Sequence, residues 1–306
     1  MPAKSQKSFS LAIHGGAGGT ADKAAKTEQE VRRELHDILE AGREILANGG
    51  SALDAVTLCV RLLEDCPLFN AGCGAVANSE GRYELDASIM DGKTLKAGAV
   101  GAVMNVRNPV ELARLVMEKT PHVMLSGKSA SDFARAHDIK MTTQAYFKAA
   151  ERKAKALIEK HRKYGTVGAV ARDRNGNLAA ATSTGGRSGK MPGRIGDTPV
   201  IGAGNFADNA SAAVSCTGIG EHFMRTVLAG YIGFLIEQNG LDAGKAAKNA
   251  IRYLVKKVDG DGGFIMIDNK GDVAAAQSSA VMRYGWIEHG GKTLTSLQSP
   301  IRVQRK

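Results

Sequence analysis

The chain has 306 residues, of which 43% are hydrophobic and 24% are charged, and its formal net charge is +10. With 37 glycines and seven prolines, the composition indicates a globular protein rich in tight turns and argues against a disordered chain. No apolar run is long enough to cross a bilayer, and residues 1–10 lack the apolar stretch of a secretory signal, so we expect a cytoplasmic protein.

The first half of the chain predicts a mixture of strands and helices. Residues 9–13 form a predicted strand that ends in His14-Gly15-Gly16. Ser51 has the side chain of a helix N-cap, and Pro67 lies beyond the end of the helix that Ser51 begins. The helices expected here are residues 27–47, 51–65, 109–119 and 129–136, and a second strand is expected at residues 97–104.

A basic segment, residues 148–165, separates the two halves. It carries five lysines and two arginines against Glu151 and Glu159, and residues 147–163 are predicted to be either helical or disordered. A basic helix can bind nucleic acid or an anionic surface, but Tyr164 is the one aromatic residue in this segment that could stack on a base. We therefore expect a solvated linker and no nucleic-acid partner.

The second half begins with a predicted β-hairpin. Residues 166–173 and 177–184 have the composition of strands, and Asn175-Gly176 between them is typical of a two-residue type I′ turn. This turn brings Thr184 beside Thr166. The cross-strand pairs that follow from it are Thr166–Gly185 and Val167–Thr184.

The remaining elements complete a layered fold of helices and sheets. The antiparallel hairpins argue against a doubly wound parallel sheet. Beyond the first hairpin we expect strands at residues 199–202 and 212–216, helices at residues 221–238 and 243–258, and a second hairpin of residues 263–268 and 272–277.

No motif in the chain indicates a catalytic cofactor. His122 breaks the P-loop pattern that ends at Ser129, and Phe223 breaks the dinucleotide pattern that begins at Gly218. The cysteines form no C-x-x-C pair, so we expect free thiols rather than a zinc site. These cysteines are Cys59, Cys66, Cys73 and Cys216.

Thr166 is the residue with the most specific chemistry. It lies where the basic segment meets a strand, and self-cleavage before it would give it a free α-amine. An N-terminal threonine carries a nucleophile and a base on one residue, because its amine can take the proton from its hydroxyl. The alternative is an ordinary Gly-Thr turn entering a strand, and the residues next to Thr166 by themselves favour that alternative.

Three further segments supply groups that suit such a nucleophile. Residues 182–186 end the partner strand with hydroxyls and glycines, and Thr217-Gly218 lie where a strand meets a helix, so that N–H groups can stabilise negative charge. Arg194 can bind a carboxylate through two hydrogen bonds and Asp197 can accept from an ammonium group, which together suit the head group of an α-amino acid. Taken singly, this pair is better explained as a surface ion pair.

In their order and spacing these segments resemble the plant-type asparaginase and isoaspartyl aminopeptidase family of N-terminal-nucleophile hydrolases. The resemblance covers most of residues 10–280. The matching runs are residues 13–18, 66–72, 90–92, 96–99, 165–170, 182–186, 193–197 and 217–221.

The resemblance implies an α+β fold, the αββα sandwich of two stacked, mainly antiparallel sheets between helical layers, in a single domain. It implies autoproteolysis between Gly165 and Thr166, which gives an α subunit of residues 1–165 and a β subunit of residues 166–306. Two cleaved chains are expected to form an (αβ)2 assembly. The implied substrates are L-asparagine, converted to L-aspartate and ammonia, and isoaspartyl dipeptides, and the sequence does not rank them.

The resemblance also implies roles for individual residues. The expected catalytic group is Thr166 as nucleophile, Thr184 and Asn70 to orient it, and the Thr217 hydroxyl with the Gly218 N–H as oxyanion hole. The expected substrate contacts are Arg194 for the α-carboxylate and Asp197 with Gly220 for the α-amine. A structural Na⁺ is expected on the backbone oxygens of Leu63, Glu64, Cys66, Phe69, Ala71 and Cys73.

Two alternatives stay open at this point. A glycosylasparaginase-like hydrolase is a close variant, although that relative usually has Asp before the threonine, where this chain has Gly165. The other is a non-catalytic binding protein whose basic segment recruits an acidic partner or RNA. The enzyme and binding classes differ in whether the chain cuts itself before Thr166.

Overall fold

Eight α-helices and thirteen strands make up the described parts of the chain. The structure is a computed structural model, and it describes residues 8–18, 25–157 and 165–305. The helices are α1 (Ala25–Ala47), α2 (Ala52–Asp65), α3 (Pro109–Lys119), α4 (Gly127–Ala136), α5 (Gln144–Leu157), α6 (Gly220–Thr226), α7 (Leu228–Glu237) and α8 (Ala243–Val258). The strands are β1 (Ser10–Ala17), β2 (Leu85–Asp91), β3 (Ala97–Val103), β4 (Met124–Ser126), β5 (Val167–Arg172), β6 (Leu178–Thr184), β7 (Asn205–Ala207), β8 (Ala212–Gly218), β9 (Gly262–Asp268), β10 (Val273–Gln277), β11 (Met282–Ile287), β12 (Leu294–Ser296) and β13 (Ile301–Arg302).

The larger sheet has eight strands in the order β12-β11-β1-β5-β6-β2-β3-β4. Its neighbouring strands run antiparallel, with the exception of β3 and β4. One face of this sheet packs against helices α1 and α2, where Leu11 and Ile13 of β1 share a core with Leu35 and Val56. The sheet therefore buries one face under helices from the first half of the chain.

The smaller sheet has five strands in the order β13-β10-β9-β8-β7. Strand β13 runs parallel to β10, and the other pairs are antiparallel. Val214 and Phe264 from this sheet share a core with Ile232 of α7 and Ile251 of α8. The second half of the chain thus repeats the packing of a sheet under helices.

The two sheets also contact each other through the residues that alternate with those facing the helices. Ala12, Val170 and Ala180 of the larger sheet pack against Ile265 and Ile267 of the smaller one. Successive side chains of a strand point to opposite faces, so a strand buried on both faces is apolar at nearly every position. The described residues therefore form a mixed α/β structure with two facing sheets.

The β5–β6 hairpin has a three-residue turn, so the predicted two-residue turn is wrong. The Asp173 N–H donates to the Asn177 carbonyl at 3.0 Å, and Gly176, but not Asn175, has a positive φ, whereas a type I′ turn needs both. The Asp173 carboxylate accepts from the N–H groups of Asn175 and Asn177 and stabilises the longer turn.

This turn moves the register of the hairpin by one residue. Val167 pairs with Ser183 rather than with Thr184. The next position along the ladder places Thr166 opposite Thr184, rather than opposite Gly185. Residues directly opposite each other on neighbouring antiparallel strands have their side chains on the same face, so Thr166 and Thr184 share one face of the sheet. In the predicted register they would have been on opposite faces.

The single helix predicted at residues 221–238 is wrong, because it is two helices, α6 and α7. Val227 between them has φ 47° and ψ 46°, a left-handed conformation that ends a helix. The change of direction lets the Ala229 and Gly230 N–H groups donate to the carbonyls of Ala203 and Gly202. The first turn of α7 is therefore fixed on the loop before β7.

Other predictions differ in part. Residues 199–202 form turns instead of the predicted strand, with the Val200 N–H donating to the Asp197 carbonyl at 2.9 Å. Helix α5 covers residues 148–157 of the basic segment, whose residues 158–164 lie outside the described part. No helix in the described ranges has the length and apolar character needed to cross a membrane.

Candidate active site

Thr166 is held at the start of β5, beside the end of β6. Its side chain is buried, and Thr184 occupies the facing position in the hairpin. The Thr184 hydroxyl accepts a hydrogen bond from the Gly186 N–H at 2.9 Å. Two of the three predicted catalytic threonines are therefore brought together by one hairpin.

Asn70 is tied to the same end of β6. Its side-chain amide donates to the Gly186 carbonyl at 2.7 Å and its Oδ1 accepts from the Val76 N–H at 3.0 Å. The Gly185 N–H in turn donates to the Asn70 carbonyl at 3.0 Å. Asn70 thus fixes the segment that follows Thr184.

Thr217 lies next to the peptide bond expected to break. It is buried at the end of β8, and a Cβ placed on Gly165 would be 3.3 Å from its Oγ1. The Ala17 N–H donates to this oxygen at 2.9 Å. Gly218 follows with φ +148°, and a Cβ there would lie 2.4 Å from the Asp261 carbonyl oxygen, so the close packing at this corner requires glycine.

The glycines after His14 also approach this peptide bond. Gly16 has φ +109°, and a Cβ there would lie 2.6 Å from the Gly165 nitrogen and 2.7 Å from its carbonyl oxygen. A side chain at position 16 would therefore displace the backbone just before Thr166. The His14-Gly15-Gly16 run is visible in the sequence, but the approach of Gly16 to Gly165 is not, because the two residues are far apart in the chain.

Arg194, Asp197 and Gly220, the substrate contacts implied by the resemblance, lie close together. A Cβ on Gly220 would be 2.6 Å from Asp197 Oδ1 and 3.0 Å from Arg194 Nη2. A Cβ on Gly186 would lie 3.4 Å from Arg194 Nη1, which places the guanidinium group near the segment that follows Thr184. The predicted substrate contacts therefore lie beside the threonines.

Asp197 has an unusual environment for a carboxylate. It is buried, and its Oδ2 has no hydrogen-bond partner among the described residues. Burial raises the pKa of Asp197 to about 7, and its own backbone N–H and the nearby Arg194 oppose that rise. A buried carboxyl with an unpaired oxygen is well suited to accept from a ligand ammonium group.

Glu221 was not predicted as a site residue, yet it contacts Arg194 directly. Arg194 donates to Glu221 Oε1 through Nε at 3.0 Å and Nη2 at 2.9 Å. Both residues border a groove of about 590 Å³ that is lined by residues 187–194 and Glu221. Glu221 follows Gly220 as the second residue of α6, and this position next to a predicted site residue is the sequence signal that could have identified it.

A buried lysine also lies beside this group. The Lys190 ammonium donates to the Glu84 carbonyl at 2.9 Å, and a Cβ on Gly186 would lie 3.0 Å from Lys190 Nζ. Burial lowers the pKa of Lys190, while Asp86 and Glu84 oppose the shift. Asp86, which pairs with Thr184 across β2 and β6, has its pKa raised by burial. Lys190 and Asp86 are therefore two buried ionisable groups close to Arg194.

The loop expected to hold Na⁺ is closely packed around two glycines, Gly72 and Gly74. Gly72 has φ +48°, and a Cβ there would lie 2.3 Å from the Glu64 carbonyl oxygen. A Cβ on Gly74 would lie 1.9 Å from the Phe69 carbonyl oxygen. The loop therefore packs backbone oxygens against glycines, and oxygens are the ligands that hard cations prefer.

The cysteine side chains in that loop are not suitable ligands. All four cysteines of the chain are buried, and they are thiols rather than disulfides, as the sequence predicted. Burial raises the pKa of Cys66 to about 12, so its thiol stays protonated at neutral pH. Any cation held here would rely on the backbone carbonyls.

Residues 7–296 match the Asparaginase family. The chain belongs to this family. It is 47% identical to the isoaspartyl peptidase of Salmonella typhimurium over 94% of this chain and 97% of the relative. It is 46% identical to the isoaspartyl peptidase of Escherichia coli, over 94% of each chain. It is 44% identical to the isoaspartyl peptidase/L-asparaginase of Homo sapiens over 92% of this chain and 93% of the relative.

These matches confirm the family resemblance inferred from the motifs. The family match extends to residue 296, beyond residue 280, where the motif resemblance ended. It therefore includes β11, which lies between β12 and β1 in the larger sheet. For this family member, the geometry brings together the residues predicted from the motifs. The roles of those residues in a reaction stay predictions.

Proposed function

We propose that the chain is a self-processing amidohydrolase that converts L-asparagine to L-aspartate and ammonia and hydrolyses isoaspartyl dipeptides. The observation that carries the proposal is the placement of the Thr217 hydroxyl beside the Gly165–Thr166 bond, with Thr184 facing Thr166. The names of the relatives, isoaspartyl peptidase and isoaspartyl peptidase/L-asparaginase, support this choice of substrates.

Self-cleavage is the first step of the proposed activity. Thr166 Oγ attacks the Gly165 carbonyl carbon, the C–N bond breaks, and the Thr166 amine takes the proton that the hydroxyl loses. Water then hydrolyses the resulting ester and frees the carboxylate of Gly165. The Thr217 hydroxyl would donate to the oxyanion that forms at the Gly165 carbonyl oxygen.

Substrate turnover uses the N-terminus that cleavage creates. The α-amine of Thr166 has a reference pKa of about 7.7–8.0, so a sizeable fraction is a neutral base near pH 7.5. Thr166 Oγ attacks the side-chain amide of asparagine or the β-linked bond of an isoaspartyl dipeptide. The leaving amine takes a proton and departs, and water hydrolyses the β-aspartyl ester on Thr166.

The remaining site residues bind and orient the substrate. Arg194 would hold the α-carboxylate, and Asp197 with Gly220 the α-amine, since these three converge beside the threonines. Thr184 and Asn70 would orient Thr166. The Thr217 hydroxyl and the Gly218 N–H would form the oxyanion hole during turnover.

The proposed architecture is the αββα sandwich of a single N-terminal-nucleophile hydrolase domain, assembled as (αβ)2 in the cytoplasm. Contacts between the two sheets, and between each sheet and its helices, support the sandwich architecture. A structural Na⁺ would bind the backbone oxygens of the loop from Leu63 to Cys73. It would hold the segment that contains Asn70 in place.

The test is self-cleavage of the purified protein followed by turnover. A denaturing gel should show fragments of about 17 and 15 kDa, obtained by scaling the 32.1 kDa chain by length, and Thr166→Ala should stay whole. Wild-type protein that remains intact after long incubation and releases no ammonia from asparagine would overturn the proposal. That result would favour the non-catalytic binding protein.

A further inference from the structure

Three buried polar side chains surround Gly168, two residues after Thr166. His14 Nε2 lies 2.8 Å from the hydroxyl oxygen of Ser215, and that oxygen lies 2.8 Å from the hydroxyl oxygen of Thr182. All three side chains are fully buried. They come from β1, β8 and β6, so the contacts cross from the larger sheet to the smaller one and back.

The backbone makes room for this group with a glycine. A Cβ on Gly168 would lie 1.9 Å from Ser215 Oγ and 2.7 Å from His14 Nε2. Gly168 also pairs with His14 on β1 and with Thr182 on β6. The hydrogen-bonded side chains therefore pass directly over β5, the strand that follows Thr166.

The imidazole is a neutral group in this position. Burial lowers the pKa of His14 to about 3, and a backbone interaction with Thr166 opposes the shift. A neutral imidazole can accept at one ring nitrogen and donate at the other. His14 Nε2 lies within hydrogen-bond distance of the Ser215 hydroxyl, whereas Nδ1 has no hydrogen-bond partner among the described residues, and the imidazole is not suited to act as a base.

The same two strands, β1 and β8, are connected again at the reaction centre. The Ala17 N–H of β1 donates to the Thr217 hydroxyl oxygen of β8 at 2.9 Å. Ser215 and Thr217 are two residues apart on β8, so their side chains lie on the same face. Strands β1 and β8 are therefore joined by two contacts, His14 with Ser215 and, nearer the ends of both strands, Ala17 with Thr217.

We propose that His14, Ser215 and Thr182 form a positioning network that sets Thr166 at the correct distance from Thr217. The inference rests on the proposed function, because it assigns the network to the attack of Thr166 Oγ. Two hydrogen bonds link these buried side chains, and buried hydrogen bonds restrict the arrangement of the strands that carry them. None of the three side chains is assigned contact with substrate.

The test compares variants that remove one hydroxyl or the imidazole: Ser215→Ala, Thr182→Val and His14→Gln. Self-cleavage rate is followed on denaturing gels, and kcat and KM for asparagine are measured per cleaved chain. We expect the cleavage rate and kcat to fall by about tenfold or more, because misplacement of a reacting group by about 1 Å costs up to about 100-fold. We expect KM to change by less than about twofold, since the Arg194 and Asp197 contacts are untouched.

Two controls separate positioning from general loss of packing. Thr182→Ser keeps the hydroxyl and should restore most of kcat relative to Thr182→Val. Ser211→Ala removes another buried hydroxyl, one without a hydrogen-bond partner among the described residues, and should leave kcat unchanged. The double variant His14→Gln with Ser215→Ala should be less than additive in kcat, as expected for residues in one network.

The outcomes are distinct for the inference and for the proposed function. Variants with lower melting temperatures but wild-type kcat, or a Thr182→Ser protein no better than Thr182→Val, would overturn the positioning network. If His14→Gln does not fold, the comparison of Thr182→Ser with Thr182→Val still decides. A wild-type chain that neither cleaves itself nor releases ammonia would overturn the proposed function instead.

Discussion

The backbone N–H of Ala17 donates to the hydroxyl oxygen of Thr217 at 2.9 Å, and this oxygen lies beside Gly165. A hydroxyl that accepts one hydrogen bond still has its own proton to donate. The contact therefore leaves the Thr217 proton available for donation beside the bond that precedes Thr166. The end of β1, far from Thr217 in sequence, lies beside the proposed reaction centre.

Replacing Thr217 by Val should impair both self-cleavage and turnover. The change keeps the size of the side chain but removes a donor to the oxyanion, which typically costs about 100- to 1,000-fold in rate. Cleavage is followed on gels and ammonia release by a coupled assay. Thr57→Val is the matched control, because its hydroxyl bonds to the Leu53 carbonyl on α2, away from the site. Equal rates for Thr217→Val and wild type would remove Thr217 from the oxyanion hole.

Gly16→Ala should slow self-cleavage by at least about tenfold, which is about 1.4 kcal/mol in the barrier. Its Cβ would press on the backbone of Gly165 from 2.6 Å. Gly18 offers a matched control, since it has the same φ of +109° but a Cβ there would meet nothing within 4 Å. The cost of the left-handed backbone is common to both variants. If Gly18→Ala slows cleavage as much as Gly16→Ala, strain rather than contact with Gly165 explains the effect.

Arg194→Lys should lower kcat/KM for asparagine by about 10- to 100-fold. Lysine keeps the charge but loses the planar fork that can hold a carboxylate through two hydrogen bonds, each worth about 1.5–3 kcal/mol when charged. The loss should be found mainly in KM. Arg225→Lys on the exposed side of α6 is the control and should change kcat/KM by less than about twofold. A KM for Arg194→Lys that matches wild type would contradict the assignment of the substrate carboxylate.

The pH profile should report Asp197. Burial raises its pKa to about 7, so in the free enzyme the carboxyl becomes neutral as the pH falls below about 7 and no longer attracts the substrate ammonium group. The α-amine of Thr166 also becomes protonated below about 7.7–8.0. The logarithm of kcat/KM should therefore rise with a slope approaching about two below pH 7.

Asp197→Asn should reduce that limiting slope to about one, because one titrating group is removed. The measurement is kcat/KM for asparagine across pH 5.5–9 in both proteins, at fixed ionic strength. A wild-type slope of one, with no change of slope in Asp197→Asn, would show that Asp197 is charged throughout this range.

Phe147→Ala should lower the free energy of unfolding by about 3–5 kcal/mol, as expected for truncation of a buried aromatic side chain. Phe147 is fully buried and stacks on Tyr83 at 5.5 Å between ring centroids, so α5 belongs to the core although its sequence is basic. Denaturant unfolding measures the change. Lys148→Ala, one residue on and exposed, should stay within about 0.5 kcal/mol of wild type.

Most elements could be predicted from local patterns, because alternating apolar residues and capping residues act over short distances. The Ser51 hydroxyl accepts from the Asp54 N–H, as expected for the N-cap of α2. The hairpin register was missed by one residue because the choice between turns depends on the Asp173 side chain as well as on Asn175-Gly176. The break at Val227 was missed because apolar residues continue through it, and its cause lies in the contacts of α7 with residues 202–203.

Residues of the candidate site could be predicted where they lie in a recognisable sequence motif, and the others could not. Thr166, Arg194 and Asp197 lie in runs that match a family pattern. His14 and Ser215 are 201 residues apart in the chain, and no local spacing links an imidazole on β1 to a hydroxyl on β8. Glu221 directly follows Gly220 in such a run, but its pairing with Arg194 depends on the orientation of the Arg194 side chain, which the sequence does not reveal.

The strand order of the larger sheet has a consequence for a chain cut before Thr166. Strand β1 would belong to one fragment while both its neighbours, β11 and β5, belong to the other, and β6 of the second fragment would lie against β2 of the first. Strands of the two fragments would be interleaved within one hydrogen-bonded sheet. Neither could leave without breaking at least three ladders, so the cut would change the covalent chain while the folded body stays whole.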